Sequence, residues 1–133
     1  MLKRAVATFE IKSWDENPLL EDGGQKLTRA RVRKSFRGDI EGEGVIEYLM
    51  FYRADGTAAF TGIERITGRL DGKNGSFALL HGGTFVDGVA TSDITVIEGS
   101  GIEDLAGLHG KGRFSVGHTP PFEMTLNYEV GRK

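Results

Sequence analysis

Residues Gly44–Val96 read GVIEYLMFYRADGTAAFTGIERITGRLDGKNGSFALLHGGTFVDGVATSDITV. Three short turn signals, ADGT, DGKNG and DG, cut this run into four apolar-rich segments. Turns this tight join antiparallel neighbours, since a parallel crossover needs a dozen or more residues. The spacing predicts four consecutive strands joined as hairpins. The last three share an apolar face that is interrupted twice, by Glu64 and by His81.

Outward from that core the pattern continues. Arg4 to Trp14 alternates, with Ala5, Ala7, Phe9 and Ile11 on one side and Thr8, Glu10 and Lys12 on the other. Asp15 to Gln25 is expected as a loop from its Pro, Gly-Gly and acidic content, with Leu19 and Leu20 tucking into a barrel end. Lys26 to Arg37 predicts a second strand. After Val96, EGSGIEDLAGLHGKG breaks the alternation, leaving room for one helical turn around Glu103 to Leu108. Gly112 to Val116 predicts a short strand and Phe122 to Val130 a final one. No segment sustains a 3.6-residue period, so the fold class is all-β.

The chain has 133 residues, 38% hydrophobic and 27% charged, which suits one globular domain over residues 1–133 and argues against disorder. About eight strands cannot lie flat, and an all-β chain manages its edges best by closing. A closed antiparallel barrel, mostly up-and-down, is therefore expected over a two-sheet sandwich. Gly is abundant at 20 residues against 3 Pro, which points to turns and close backbone approaches.

Composition also excludes. A net charge of −2 is not that of a globally basic nucleic-acid binder. There is no Cys, hence no disulfide or thiolate metal site. The N-terminus lacks an apolar signal-peptide core, because Thr8, Glu10 and Lys12 interrupt it, and no run is long enough to span a bilayer. A cytoplasmic protein without membrane partner is the expectation, and the sequon Asn74-Gly75-Ser76 is read as turn chemistry. His81, His109 and His118 are too scattered for a metal motif, and no cofactor signature occurs. Arg29, Arg31 and Arg33 line one strand face, with Lys3, Arg4 and Lys34 nearby, and are read as a charged exterior rather than a phosphate or nucleic-acid patch.

The wording TFEIKSWDE, KLTRARVRKSFRGDIEGEG, IEYLMFYRADGTAAFTGIERITGRLDGKNGSF and GSGIEDLAGLHGKGRF resembles, over nearly the whole chain, a family of small bacterial proteins known only as a domain of unknown function, DUF3224. That family is grouped with allene oxide cyclase-like (calycin-like) barrels, relatives in shape of plant cyclases and dirigent proteins. The resemblance implies the barrel. It brings no catalytic residues, and a shared barrel does not carry a shared reaction.

The candidate site comes from the hairpins. Matching apolar faces places Phe60, Gly62, Glu64 and Ile66 on one side with Phe77, Leu79, His81 and Gly83. A loop from Gly72 to Gly75 would set Glu64 opposite Gly83 and Ile66 opposite His81, leaving Glu64 and His81 diagonal, about 7–8 Å apart at Cα. Gly62, Gly68 and Gly83 would leave space on that face. A carboxylate and an imidazole in a roomy apolar interior form a general acid–base pairing, and equally a structural hydrogen-bonded pair. At Asp55-Gly56 a two-residue loop brings Glu47 opposite Glu64, whereas a three-residue loop with a Gly bulge turns Tyr48, Met50 and Tyr52 inward. Both suit Asp-Gly, and the shorter loop, with Glu47, has a slight preference. The candidate ligand-binding residues are thus Glu64, His81, Glu47 and Tyr48.

Three functions follow: a barrel binding a small, largely apolar molecule; an isomerase- or cyclase-type acid–base enzyme on the same barrel; or a filled barrel with a structural or assembly role. Apolar residues on the opposite face (Ile46, Ala59, Ile63, Ala78, Leu80) predict a homo-oligomer.

Overall fold

A computed structural model describes residues 2–131; Met1, with which the N-terminal reading begins, lies outside them. The strands are β1 (Lys3–Asp22), β2 (Gln25–Gly38), β3 (Ile40–Tyr52), β4 (Ala58–Leu70), β5 (Lys73–Val86), β6 (Val89–Val96), β7 (Ile102–Glu103), β8 (Leu108–Val116) and β9 (Phe122–Val130). Eight of them make a ring: β9 returns to β1, and β4 pairs with both β3 and β5. All neighbours are antiparallel, as sequential hairpins require. The short β7 lies beside Gly75 and Ser76, beyond the end of β6. No helix occurs among the described residues.

The turns fix the register. Gly23-Gly24, Asp71-Gly72 and Asp87-Gly88 are two-residue connections, and all six residues have positive φ. That is the geometry whose twist matches the flanking strands. The β4–β5 turn is therefore shorter than the four-residue loop expected. Glu64 faces Leu79, and His81 faces Gly62. Each partner moves by four residues, an even number, so no side chain changes face. The β3–β4 turn takes the three-residue form, closed by Arg53 N–H donating to Thr57 O at 2.8 Å, with Gly56 at φ 89°. Tyr48 then faces Gly62 and Ile46 faces Glu64. Tyr48 points inward, and the expectation that favoured Glu47 is corrected.

The segment Asp15–Asp22 is strand, not loop. Two of its four acids sit across from basic residues of β2: Asp15 opposite Arg31, Glu21 opposite Lys26. Glu16 accepts hydrogen bonds from Trp14 Nε1, Thr28 Oγ1 and Tyr52 OH, at 2.8, 2.6 and 2.6 Å. Pro18 is accommodated where the pairing slips between Pro18 and Leu20. Leu19 and Leu20 are exposed and do not plug the barrel. Leu105 does that instead, fully buried in a run of turn hydrogen bonds from Ile102 to Leu108 where one helical turn was expected.

One buried cluster, including Ile40, Ile66, Leu70, Phe77, Leu79 and Leu126, fills the end of the barrel near Leu105. A second, smaller one holds Ala30, Val32, Ile46, Tyr48, Met50 and Phe60 against the wall of β2, β3 and β4. Ile46 is therefore core, not exterior. The large apolar residues left outside on β3, β4 and β5 are Leu49, Phe51, Ile63, Leu80 and Val86.

The glycines of the inner face do not leave open space. Gly42, Gly68 and Gly75 stand side by side across β3, β4 and β5, all at positive φ, and a Cβ on any of them would fall on a neighbouring carbonyl. Gly83 likewise lies against the Thr91 carbonyl, and a Cβ at Gly62 would meet Glu47 O at 2.6 Å and the Tyr48 ring at 2.8 Å. They let adjacent backbones approach so that the sheet can curl shut.

Candidate functional site

Four polar side chains are buried together on the inner face, each from a different strand: Lys34 (β2), Glu64 (β4), His81 (β5) and Ser92 (β6). They form a chain. Lys34 Nζ lies 3.6 Å from Glu64 Oε2, an ion pair beyond hydrogen-bond length. Glu64 Oε1 is 2.8 Å from His81 Nε2. His81 Nδ1 is 3.4 Å from Ser92 Oγ, which in turn can donate to Asp93 O at 3.2 Å. Gly44, directly opposite Lys34, makes room for the carboxylate: a Cβ there would stand 2.6 Å from Glu64 Oε2.

Burial pushes the Glu64 carboxyl up, but the Lys34 charge and the hydrogen bond and charge of His81 outweigh it, and the net is below the ordinary value of 4.5. Burial also pushes His81 down. The Glu64 contact opposes this and the Lys34 charge adds to it, so the imidazole stays below its ordinary 6.5. At neutral pH the site therefore holds an ammonium, a carboxylate and a neutral imidazole. A carboxylate can only accept, so the imidazole proton sits on Nε2 and is donated to Glu64, leaving Nδ1 as an acceptor.

Two atoms of this chain, Lys34 Nζ and Glu64 Oε2, are buried without a hydrogen-bond partner. Such groups are rare and costly in folded proteins. The ammonium lies over the rings of Phe9 and Phe114, 4.6 and 5.4 Å from their centroids. Lys34 is among the residues lining a cavity of about 200 Å³ whose other walls include Phe9, Trp14, Tyr48, Phe60 and Phe114, while its ammonium is itself buried. The cavity extends past Phe122 to Gly88 and His118, on the β5–β6 turn and the β8–β9 loop.

Of the residues singled out in the sequence, Glu64 and His81 meet, and Tyr48 joins them with its ring 6.1 Å from that of His81. Glu64 and His81 stand behind the cavity wall, while Tyr48 is part of it. Burial first, and the Glu64 charge second, raise the Tyr48 phenol, which stays protonated. Glu47 is elsewhere, on the outer surface, held by Arg29 at 3.0 Å and Arg31 at 3.4 Å. His109 pairs at the surface with Glu129. Lys34 was grouped with the basic exterior, yet its parity gives it away: in KLTRARVRKSFR it alternates in step with Ala30, Val32 and Phe36, and out of step with Arg29, Arg31 and Arg33.

The sequence profile of the family described as a protein of unknown function, DUF3224, matches residues 5–128. The chain belongs to this family. Among solved structures it is similar to a DUF3224 protein of unknown function from Shewanella oneidensis MR-1, at 26% identity over 100% of both chains with a TM-score of 0.84. None of the curated proteins matches it.

For this DUF3224 barrel the site predicts acid sensitivity. His81 is neutral in the fold and would gain a proton on unfolding below pH 6.5, and Glu64 would gain one below 4.5. In both windows the unfolded chain binds more protons, so stability rises with pH and is lost as pH falls. The melting temperature is expected to decline from pH 7.5 to 5.5 in the wild type and to stay flatter in His81→Gln over that range. A wild-type melting temperature independent of pH there would contradict a buried neutral imidazole.

Proposed function

We propose that this barrel binds a small, largely apolar molecule in the cavity beneath Trp14 and Tyr48. One observation carries the reading: an aromatic-walled cavity of about 200 Å³ has, among its lining, a buried lysine whose ammonium lacks a hydrogen-bond partner. Apolar walls with few, placed polar groups are what small-molecule sites are made of. A barrel with a purely structural role has no use for a buried ion pair whose ammonium is left without a hydrogen bond, which costs stability. The acid–base enzyme is less well supported, since Glu64 and His81 are absent from the lining of the cavity and so have no direct contact with a molecule held there.

The single tryptophan is the reporter. Cinnamyl alcohol, a flat apolar probe with a neutral polar end, should change Trp14 emission saturably. Ala90→Phe, which fills the cavity from β6 without adding a second tryptophan, should weaken that response at least tenfold. A linear, non-saturating response, or one indifferent to Ala90→Phe, would remove the cavity as a binding site.

A further inference from the structure

From the order of the buried chain we infer that the ligand is a monocarboxylate whose head group is taken by Lys34, and that its entry draws one solvent proton onto His81. The inference rests on the cavity binding reading above and specifies its chemistry.

Two strands of geometry support it. The first is the orphan ammonium. Glu64 is 3.6 Å away and bonded at its other oxygen to His81, so Lys34 has donors to spare and only one carboxylate near. An acceptor entering from the aromatic cavity supplies what is missing, once the edge of Phe9 or Phe114 gives way. A carboxylate suits best, because charge-assisted hydrogen bonds are the strong ones and a buried cation matched by charge is the stable case.

The second is charge balance. Lys34 and Glu64 cancel. A carboxylate added to them leaves one buried negative charge in excess, which a low-dielectric interior opposes. His81 can restore neutrality. Its Nδ1 is the free acceptor of the chain, and Ser92 Oγ stands 3.4 Å from it, ready to accept from Nδ1–H while donating onward to Asp93 O. Among the described residues, the titratable or charged groups that face this imidazole are Glu64 from β4, Lys34 from β2 and the protonated Tyr48 from β3. From β6 and β8 it meets Ser92 and Phe114, which carry no charge. Desolvation and the Lys34 charge both hold His81 down, and a second carboxylate offsets the charge. No covalent bond changes; one proton passes from solvent to Nδ1.

The experiment is calorimetric titration of the full chain with cinnamate, and with cinnamyl alcohol beside it, at pH 8 in buffers of different ionisation enthalpy. Cinnamate should take up close to one proton per molecule bound and the alcohol none. Between pH 7 and 9 the cinnamate affinity should fall by about tenfold per unit, and His81→Gln should abolish that slope. Cinnamate bound without proton uptake would overturn the inference, as would a slope that survives in His81→Gln. Binding of the alcohol without the acid would overturn it too, while leaving the cavity reading intact. Failure of both probes to bind would overturn the two together.

Discussion

Lys34→Met is expected to destabilise the barrel by roughly 3–5 kcal/mol, and Glu64→Gln by a similar amount, whereas the double variant should recover most of the loss. The reason is the isolation of the pair. Lys34 and Glu64 are both essentially without solvent contact, each the other's only full opposite charge within ion-pair distance among the described residues, and 3.6 Å apart. Removing one member leaves the other charged and uncompensated in an apolar interior. Removing both leaves Met and Gln of similar volume, and Gln can still accept from His81 Nε2. Against a typical total of about 5–15 kcal/mol, either single loss is large enough to read directly in urea melts. A double-mutant cycle gives the coupling, expected to exceed about 2 kcal/mol in magnitude. Single variants that melt like the wild type would mean that the pair is not buried as described.

This cycle also changes what Glu64→Gln alone can tell. With only Glu64 and His81 in view, a stable Glu64→Gln would mark a functional site and an unstable one a structural pair. Lys34 removes that distinction, because loss of its counter-charge costs stability in either case. Ligand response, not the melt of a single variant, separates the two roles. The pair's cost in the free protein is itself suggestive, since sites commonly keep an arrangement that stability alone would replace.

Much of this was legible in the residues. The Asp-Gly and Gly-Gly turns and strict alternation are strong local signals, so the antiparallel ring and the shared face of Glu64 and His81 follow from them. Two features were hidden by chemistry that local pattern cannot rank. DENPLLED looks like a loop because acids, Pro and adjacent leucines are poor strand formers, yet β2 sets Arg31 opposite Asp15 and Lys26 opposite Glu21, and Glu16 is held by Trp14, Thr28 and Tyr52. Lys34 looks like one more cation among Arg29, Arg31 and Arg33, and only its parity separates it. The loop at Asp55-Gly56 was open between two lengths, and the choice exchanged Glu47 for Tyr48, one residue's slip inverting a whole face.

The glycines show the same limit from the other side, and they yield the second large effect. An inward glycine reads in sequence as space, but here it marks contact. Gly68 sits at φ 152° between Gly42 and Gly75, and a methyl group there would be driven into the Glu41 carbonyl. Gly68→Ala therefore combines an unfavourable backbone conformation with a backbone clash that no side-chain rotation can relieve. A loss of roughly 2–5 kcal/mol is expected. Gly82, also within β5's glycine pair, is the control: a Cβ there meets nothing within 4 Å, and its φ is not in the positive region. Gly82→Ala should be neutral or stabilise by up to about 1 kcal/mol, because Ala loses less backbone freedom on folding. The two substitutions add the same methyl group one strand apart, so opposite signs in paired urea melts would trace the difference to the curl of the sheet at Gly42, Gly68 and Gly75. Equal effects would mean that the sheet is free to open at that corner, and with it the end of the barrel that holds Leu70 and Phe77 buried.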